Sequence, residues 1–284
     1  MNALVNILLQ TAPLYIAALG GLFSELAGRL NIGLEGAILF GAFFASIAFR
    51  LFADPLMGMI AALAAAALAG SMAGGITAWL SISRRANVFI VGLGVNLLAW
   101  GLIPLLSQAF AGSKGVINLG VDSAFQDGAA LVGLFAAITI GLGCILYLSY
   151  HHSGLRLRKI HLDEYSARIQ GTDVAKYQFR SLVFSSTLSA FAGGIIALHL
   201  GSYVPNLSAG KGWIALVIIY LGNRRPVPML IASVFFAISQ LFANEAQRFI
   251  SAPGILIGLP YLLTLIALIL YKLIQKSLAE RKHR

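Results

Sequence analysis

Charge is what this chain has least of. Of its 284 residues only 11% are Asp, Glu, Lys or Arg, against about 25% in soluble domains. That excludes a soluble globular protein with an ordinary solvated surface. Acidic residues are the scarcest, ten against twenty Lys and Arg, for a net charge of +10. There is one cysteine, Cys144. It lies in an apolar run, so an internal disulfide is excluded and the thiol is expected to be a small packing group. No Gly-x-x-x-x-Gly-Lys-Ser/Thr loop is present. Gly210-Lys211 and Ser113-Lys114 lack the preceding glycine and the following hydroxyl, so the chain has no cradle of this kind for a nucleoside triphosphate. Met1 to Leu9 carries no basic segment and no small-residue cleavage site follows. The first apolar run is therefore expected to be retained.

What is present is hydrophobic. The composition is 59% apolar with a mean hydropathy of +0.87, and apolar runs of about 20 residues recur along the chain, as in helical membrane proteins. Spans are expected at 4–23, 31–52, 56–80, 88–110, 128–150, 181–200, 212–222, 227–244 and 254–273. The fold class is all-α, a polytopic helical membrane protein of eight to nine hydrophobic segments. The seventh is too short to cross about 30 Å of hydrocarbon as a helix and is expected to be broken or re-entrant. The third is rich in Ala and Gly, which suits close helix packing in lipid. Spans and short connections use nearly all of the chain, so residues 1–284 are expected to form a single transmembrane domain.

Basic residues give the orientation. With the N-terminus outside, Arg29, Arg84, Arg85, the 151–180 loop, Arg224, Arg225 and the tail from Lys272 lie inside. That is sixteen of the twenty basic residues. Arg50, Lys114, Lys211 and Arg248 remain outside. The bias predicts an outside N-terminus and an inside C-terminus. Basic residues at span ends serve topology, so nucleic acid is not an expected partner. His151, His152 and His161 fall in the polar loop and His199 at the far end of the sixth span. They cannot converge on one ion, and no metal site is expected.

The most informative segment is Asn31-Ile32-Gly33-Leu34-Glu35-Gly36. A carboxylate and a carboxamide enter an otherwise apolar span, although an ionisable group at a helix centre costs roughly 2.5–3.5 kcal/mol on insertion scales. Topology places this segment at the inner end of the second span. Glu35 has two readings. It contributes to a polar path, or it is structural, capping a helix or pairing with Arg29 or Arg85. The candidate path residues are Asn31, Glu35 and Asn96, with Lys211 and Trp213 at the outer mouth. Phe43, Phe44, Phe89 and Trp100 are candidates for stacking on a ring, though span aromatics more often only pack.

Three faint echoes run in the same order through the two ends of the chain. Pro55-Leu-Met-Gly-Met-Ile-Ala echoes Pro226-Val-Pro-Met-Leu-Ile-Ala. Ile90-Val-Gly-Leu-Gly echoes Leu256-Ile-Gly-Leu-Pro. Gly33-Leu-Glu-Gly-Ala-Ile-Leu echoes Gly210-Lys-Gly-Trp-Ile-Ala-Leu. They predict an inverted repeat with halves at about 4–110 and 181–273, a common plan in transporters. Between the halves lies the polar segment 151–180. Its middle, 162–169, has helical character, with Gly171 as a stop and Thr172-Asp173 as the cap of a further helix.

These pieces together resemble a family. Ala12-Pro13-Leu14-Tyr15 through Ser24-Glu25, Asn31 to Gly36, Gly41-Ala42-Phe43-Phe44, Ala86-Asn87 through Asn96-Leu97-Leu98, Gly154-Leu155-Arg156 through Ala167 and Gly171, and Ala209-Gly210-Lys211-Gly212-Trp213 resemble the permease subunits of bacterial ATP-binding-cassette (ABC) importers for nucleosides and simple sugars. These belong to the branched-chain amino-acid permease superfamily. Leu26, the run His161 to Glu164, and Arg224-Arg225 depart from the family's usual residues.

The resemblance implies a non-catalytic subunit in the bacterial inner membrane that forms the path for a nucleoside-like solute. Riboflavin or a simple sugar is the alternative cargo. The implied partners are a second, unlike permease, an ABC ATPase that binds ATP and Mg, an extracytoplasmic solute-binding protein and membrane lipid. No cofactor is implied in this chain itself. Gly154, Arg156, Asp163, Glu164, Ala167 and Gly171 are the implied ATPase-coupling residues. The competing class is an ion-coupled secondary transporter with Glu35 as its ion or proton site.

Overall fold

The computed structural model describes residues 3–112 and 115–246, without the side chains of residues 3–5, 111, 244 and 246. The expected span at 254–273 lies outside the described residues, as do Lys114 and Arg248. The described chain is almost wholly helical. In order it forms α1 (Ala3–Leu26), α2 (Leu34–Phe49), α3 (Pro55–Ala78), α4 (Val88–Ala111), α5 (Ser123–Tyr150), α6 (His152–Leu162), α7 (Glu164–Ile169), α8 (Val174–Leu200), α9 (Lys211–Leu221) and α10 (Pro226–Ala246). Six of these, α1, α3, α4, α5, α8 and α10, are long and apolar enough to cross a membrane. The two shorter apolar helices are α2, of 16 residues, and α9, of 11. At 1.5 Å per residue neither spans a full hydrocarbon core.

The ends of the helices follow from local chemistry. Asp54 precedes Pro55 and accepts from the Met57 N–H at 3.0 Å, so α3 starts with a cap and a proline at its first position. Asn87 caps α4 through Phe89 N–H, and Asp122 caps α5 through Phe125 N–H. Both α5 and α8 begin earlier than hydropathy suggests, because Asp122 and Asp173 start them outside the apolar run. Asp173 Oδ1 accepts from the Lys176 N–H at 3.1 Å. The chain leaves α7 through Gly171 at φ +80°.

α8 is the central helix and packs against α1, α2, α3 and α5. Its neighbours approach unusually closely. A Cβ on Gly41 of α2 would lie 1.9 Å from the Ala190 carbonyl oxygen, and one on Gly193 of α8 would lie 2.0 Å from that of Ile38. The α2–α8 contact is therefore backbone against backbone, which only glycine at both places permits. α3 uses Gly70 and Gly74 on the same helix. By contrast, α3, α4 and α5 each turn a face of large apolar side chains outward, among them Leu68, Met72, Leu97, Leu98, Phe135 and Leu142.

The two ends of the bundle differ. At one end, α6 and α7 form a polar corner. At the other, a two-residue antiparallel pair, β1 (Ile117–Asn118) and β2 (Ser202–Tyr203), ties the α4–α5 connection to the end of α8, with Ile117 opposite Tyr203.

Candidate functional site

Polar side chains converge at the elbow between α1 and α2. Asn31 donates from its amide nitrogen to the hydroxyls of Ser185 and Ser186 at 3.1 and 2.9 Å, and its Oδ1 accepts from the Gly33 N–H. Ser24 Oγ accepts from the Asn31 N–H. Asn96 of α4 clips the far side of the elbow, donating to the Ile32 carbonyl at 3.0 Å and accepting from the Gly36 N–H at 2.8 Å. All three of Asn31, Glu35 and Asn96 are buried. Ser185 and Ser186 stand near the middle of the 27-residue α8. The elbow therefore folds back into the bundle and α2 begins at mid-depth.

Glu35 occupies the centre. Its Oε1 accepts from the Gly210 N–H at 2.8 Å and from the Ser208 hydroxyl, and its Oε2 accepts from the Gly212 N–H at 2.7 Å. These are the free donors at the start of α9, so Glu35 caps α9 from α2 at a sequence distance of 177 residues. Gly212 makes this contact possible, since a Cβ there would lie 2.4 Å from the Glu35 backbone nitrogen. The approach to α9 is a tight turn with Asn206, Ala209 and Gly210 all at positive φ.

Two expectations are corrected by this geometry. The Asn31–Gly36 segment does not lie at the inner end of a full span, because its polar groups are satisfied only inside the bundle, against α4, α8 and α9. Nor does Glu35 pair with Arg29 or Arg85. The ion pair of this region joins Glu25 to Arg224, Oε1 to Nε at 2.8 Å, with the Arg224 guanidinium also over the Tyr220 ring. Glu25 is a second buried carboxylate whose role the sequence concealed, since its partner lies 199 residues away. Among the described residues the buried Nε of Arg29 has no hydrogen-bond partner.

The other expected path residues lie at the edge of this joint. Lys211 is half-buried, and its ammonium donates a long bond, 3.4 Å, to the Ser208 carbonyl. Trp213 is partly exposed one turn into α9. Phe43 is buried between Phe44 and Tyr203 and so packs, while Phe89 and Trp100 are exposed on α4. Among the described residues no three His, Cys, Asp or Glu side chains gather as a metal site would require.

The polar corner is built separately. Gly154, Leu157, Ile160 and Ala167 face inward. Asp163 caps α7, accepting from the Tyr165 and Ser166 N–H groups and from the Ser166 hydroxyl. The Ser166 hydroxyl, then the backbone bonds, hold the Asp163 carboxyl below the usual carboxylate range. Glu164 pairs with Arg168 at 2.8 Å, accepts from Gln178 of α8 and lies beside Gly28 of the elbow. Arg156 is exposed, as is Gly171. Leu162, Tyr165 and Ile169 are also exposed, at 83%, 74% and 69%. These three form an apolar knob on an otherwise charged corner. The sequence signalled this stretch only by its helical character.

Residues 3–270 match the family model described as branched-chain amino acid transport system, permease component. The guanosine ABC transporter permease protein NupQ of Bacillus subtilis is 29% identical over 288 residues, covering 92% of this chain and 89% of that one. The nucleoside ABC transporter permease protein NupC of Lactococcus lactis is 28% identical, with coverage of 94% and 90%. The glucose ABC transporter permease protein TsgB13 of Haloferax volcanii is 24% identical, with coverage of 94% and 76%. Among solved structures, an inward-facing metal-chelate type ABC transporter superposes with a TM-score of 0.58 at 18% identity, covering 96% of this chain and 86% of that one. PsaBC from Streptococcus pneumoniae superposes with a TM-score of 0.53 at 16% identity, covering 92% and 89%. At these identities the two structures speak for the fold alone.

Proposed function

Since the chain belongs to the branched-chain amino acid transport system permease family, we propose that it forms the membrane path of an ATP-driven importer for nucleosides. The observation that carries the cargo class is the similarity, across nine-tenths of each chain, to permeases named for guanosine and for nucleosides. The chain supplies the path and no chemistry. ATP and Mg bind to a separate ATPase, an extracytoplasmic binding protein delivers the solute, and a second, unlike permease completes the path.

The knob of Leu162, Tyr165 and Ile169 supports an ATPase partner. Apolar groups exposed at the polar end of a membrane protein suit a protein interface rather than water. We place this end in the cytoplasm, in line with the basic residues of α6 and α7, and the N-terminus outside. In this reading Arg156 and Glu164 border the docking surface, while Gly154, Asp163, Ala167 and Gly171 give α6 and α7 their shape. Glu164 also touches the α1–α2 elbow, whose other side caps α9. Movement of the ATPase then has a short route to the centre of the bundle, a two-state element biased by nucleotide.

The two short helices support an inverted-repeat plan. α2 and α9 are second in their respective halves, carry the Gly33 and Gly210 echo, and meet start to start at Glu35. Broken helices meeting at mid-depth are a feature of transporters built on such repeats. Asn31, Glu35 and Asn96 serve the path by holding this joint, and Lys211 and Trp213 stand at its open edge. A sodium or proton site at Glu35 is less well supported, because both of its oxygens already accept hydrogen bonds from α9 and its approach.

Reconstitution tests this reading. The permease pair, ATPase and binding protein in proteoliposomes should accumulate radiolabelled guanosine only with ATP. Uptake that persists without the ATPase, driven by an ion gradient, would overturn it.

A further inference from the structure

α4 carries Pro104 in its interior. Proline has no N–H, so the helical bond to the carbonyl four residues earlier, that of Trp100, is missing. Beside this break lies a cavity of about 320 Å3, lined by Leu39, Trp100, Ile103, Pro104, Tyr203 and Asn206, with Ala99 and Pro205. The volume is at the lower end of the range for small-molecule sites. It lies on the side of the joint away from α6 and α7, one turn of α2 beyond Glu35.

The lining has a particular chemistry. Trp100 is 56% exposed, so its indole offers an open face. Tyr203 is buried as a residue, and burial pushes its phenol up to about 12, which keeps it a donor. Its hydroxyl makes no hydrogen bond among the described residues. The Asn206 side chain is exposed on a turn that its own backbone closes, with φ +60° and the Ala209 N–H bonded to the Asn206 carbonyl at 2.9 Å. One aromatic face, one donor, one carboxamide and one released carbonyl thus surround a space that contains no charged side chain.

We propose that this cavity is the permease's contact site for the base of a nucleoside, with the Trp100 indole stacking on the ring and Tyr203, Asn206 and the Trp100 carbonyl reading its edge. A planar neutral ring with donors and acceptors around its rim matches that set. The absence of cations from the lining favours nucleosides over nucleotides, whose phosphates call for Arg, Lys or a free helix start. Asn206 is two residues before Ser208, which bonds Glu35. A base in the cavity therefore lies against the turn that leads into the capped start of α9. This inference rests on the nucleoside reading above.

The test uses the assembled complex in proteoliposomes with guanosine and, separately, glucose as radiolabelled probes. Trp100→Ala should lower ATP-driven guanosine uptake about ten-fold or more, the scale of losing one stacked base. Trp100→Phe should restore most of it, and Asn206→Ala should lower it several-fold. Co-purification of the ATPase with each variant reports that it has folded and assembled. Uptake by assembled Trp100→Ala equal to wild type would overturn the site while leaving the nucleoside reading intact. A wild-type complex that carries glucose and not guanosine would overturn both.

Discussion

Glu35 holds three donors with two oxygens, and two of those donors, the Ser208 hydroxyl and the Gly212 N–H, are buried. Replacement by alanine leaves a buried N–H and a buried hydroxyl unsatisfied and frees a half-buried N–H, at roughly 3 kcal/mol or more. Glu35→Ala should therefore lower the unfolding temperature of the purified protein in detergent clearly, whereas Glu35→Gln, which keeps one acceptor oxygen, should cost roughly 1–2 kcal/mol. Gly212→Ala places a methyl 2.4 Å from the Glu35 nitrogen and should reduce the folded yield in membranes. Gly94→Ala, with nothing within 4 Å of the new Cβ, is the matched control and should be silent. Residues of this kind were half legible. Asn31, Glu35 and Asn96 stand out in apolar runs, so their importance could be read. Their partners could not, because Ser185, Ser186 and Ser208 are neutral in any pattern and lie more than 150 residues from Asn31 and Glu35.

At the scale of elements, α7 is six residues long and too short to hold itself together. Its cap and its packing on α8 hold it. The Asp163 carboxyl is depressed in the folded state, so its contribution is present above the ordinary carboxylate range and lost as pH falls through the folded value. Proteolytic cutting within 163–170 should rise on acidification in the wild type, and Asp163→Ala should be cut readily at every pH. The exposed face of the same helix makes a second prediction. Tyr165→Ala with Ile169→Ser should reduce ATPase co-purification about ten-fold, equivalent to about 1.4 kcal/mol, without changing the protein's own unfolding temperature. The caps of α3, α4, α5 and α8 could be read from Asp and Asn before apolar runs. The level at which α2 and α9 begin could not, because hydropathy records length and not depth.

For the whole molecule, the basic residues predict the orientation. Arg156→Cys, in a Cys144→Ser background, should react with a membrane-impermeant thiol reagent in inside-out vesicles and not in right-side-out ones. Labelling of the opposite set would reverse the topology and move the ATPase surface away from α7.

The amino-acid sequence by itself determined that this chain is a bundle of apolar helices without a nucleotide loop of its own, because lipid forces every backbone group into helical bonds and the runs of Leu, Ile, Ala and Phe mark where. It also carried enough of its family's residues to be placed among permeases. Only the tertiary structure decided what the polar exceptions do. Whether Glu35 faces solute, lipid or another helix depends on which donors meet it at mid-depth. That meeting is made by backbone N–H groups and small residues, which leave no hydrophobic signature along the chain.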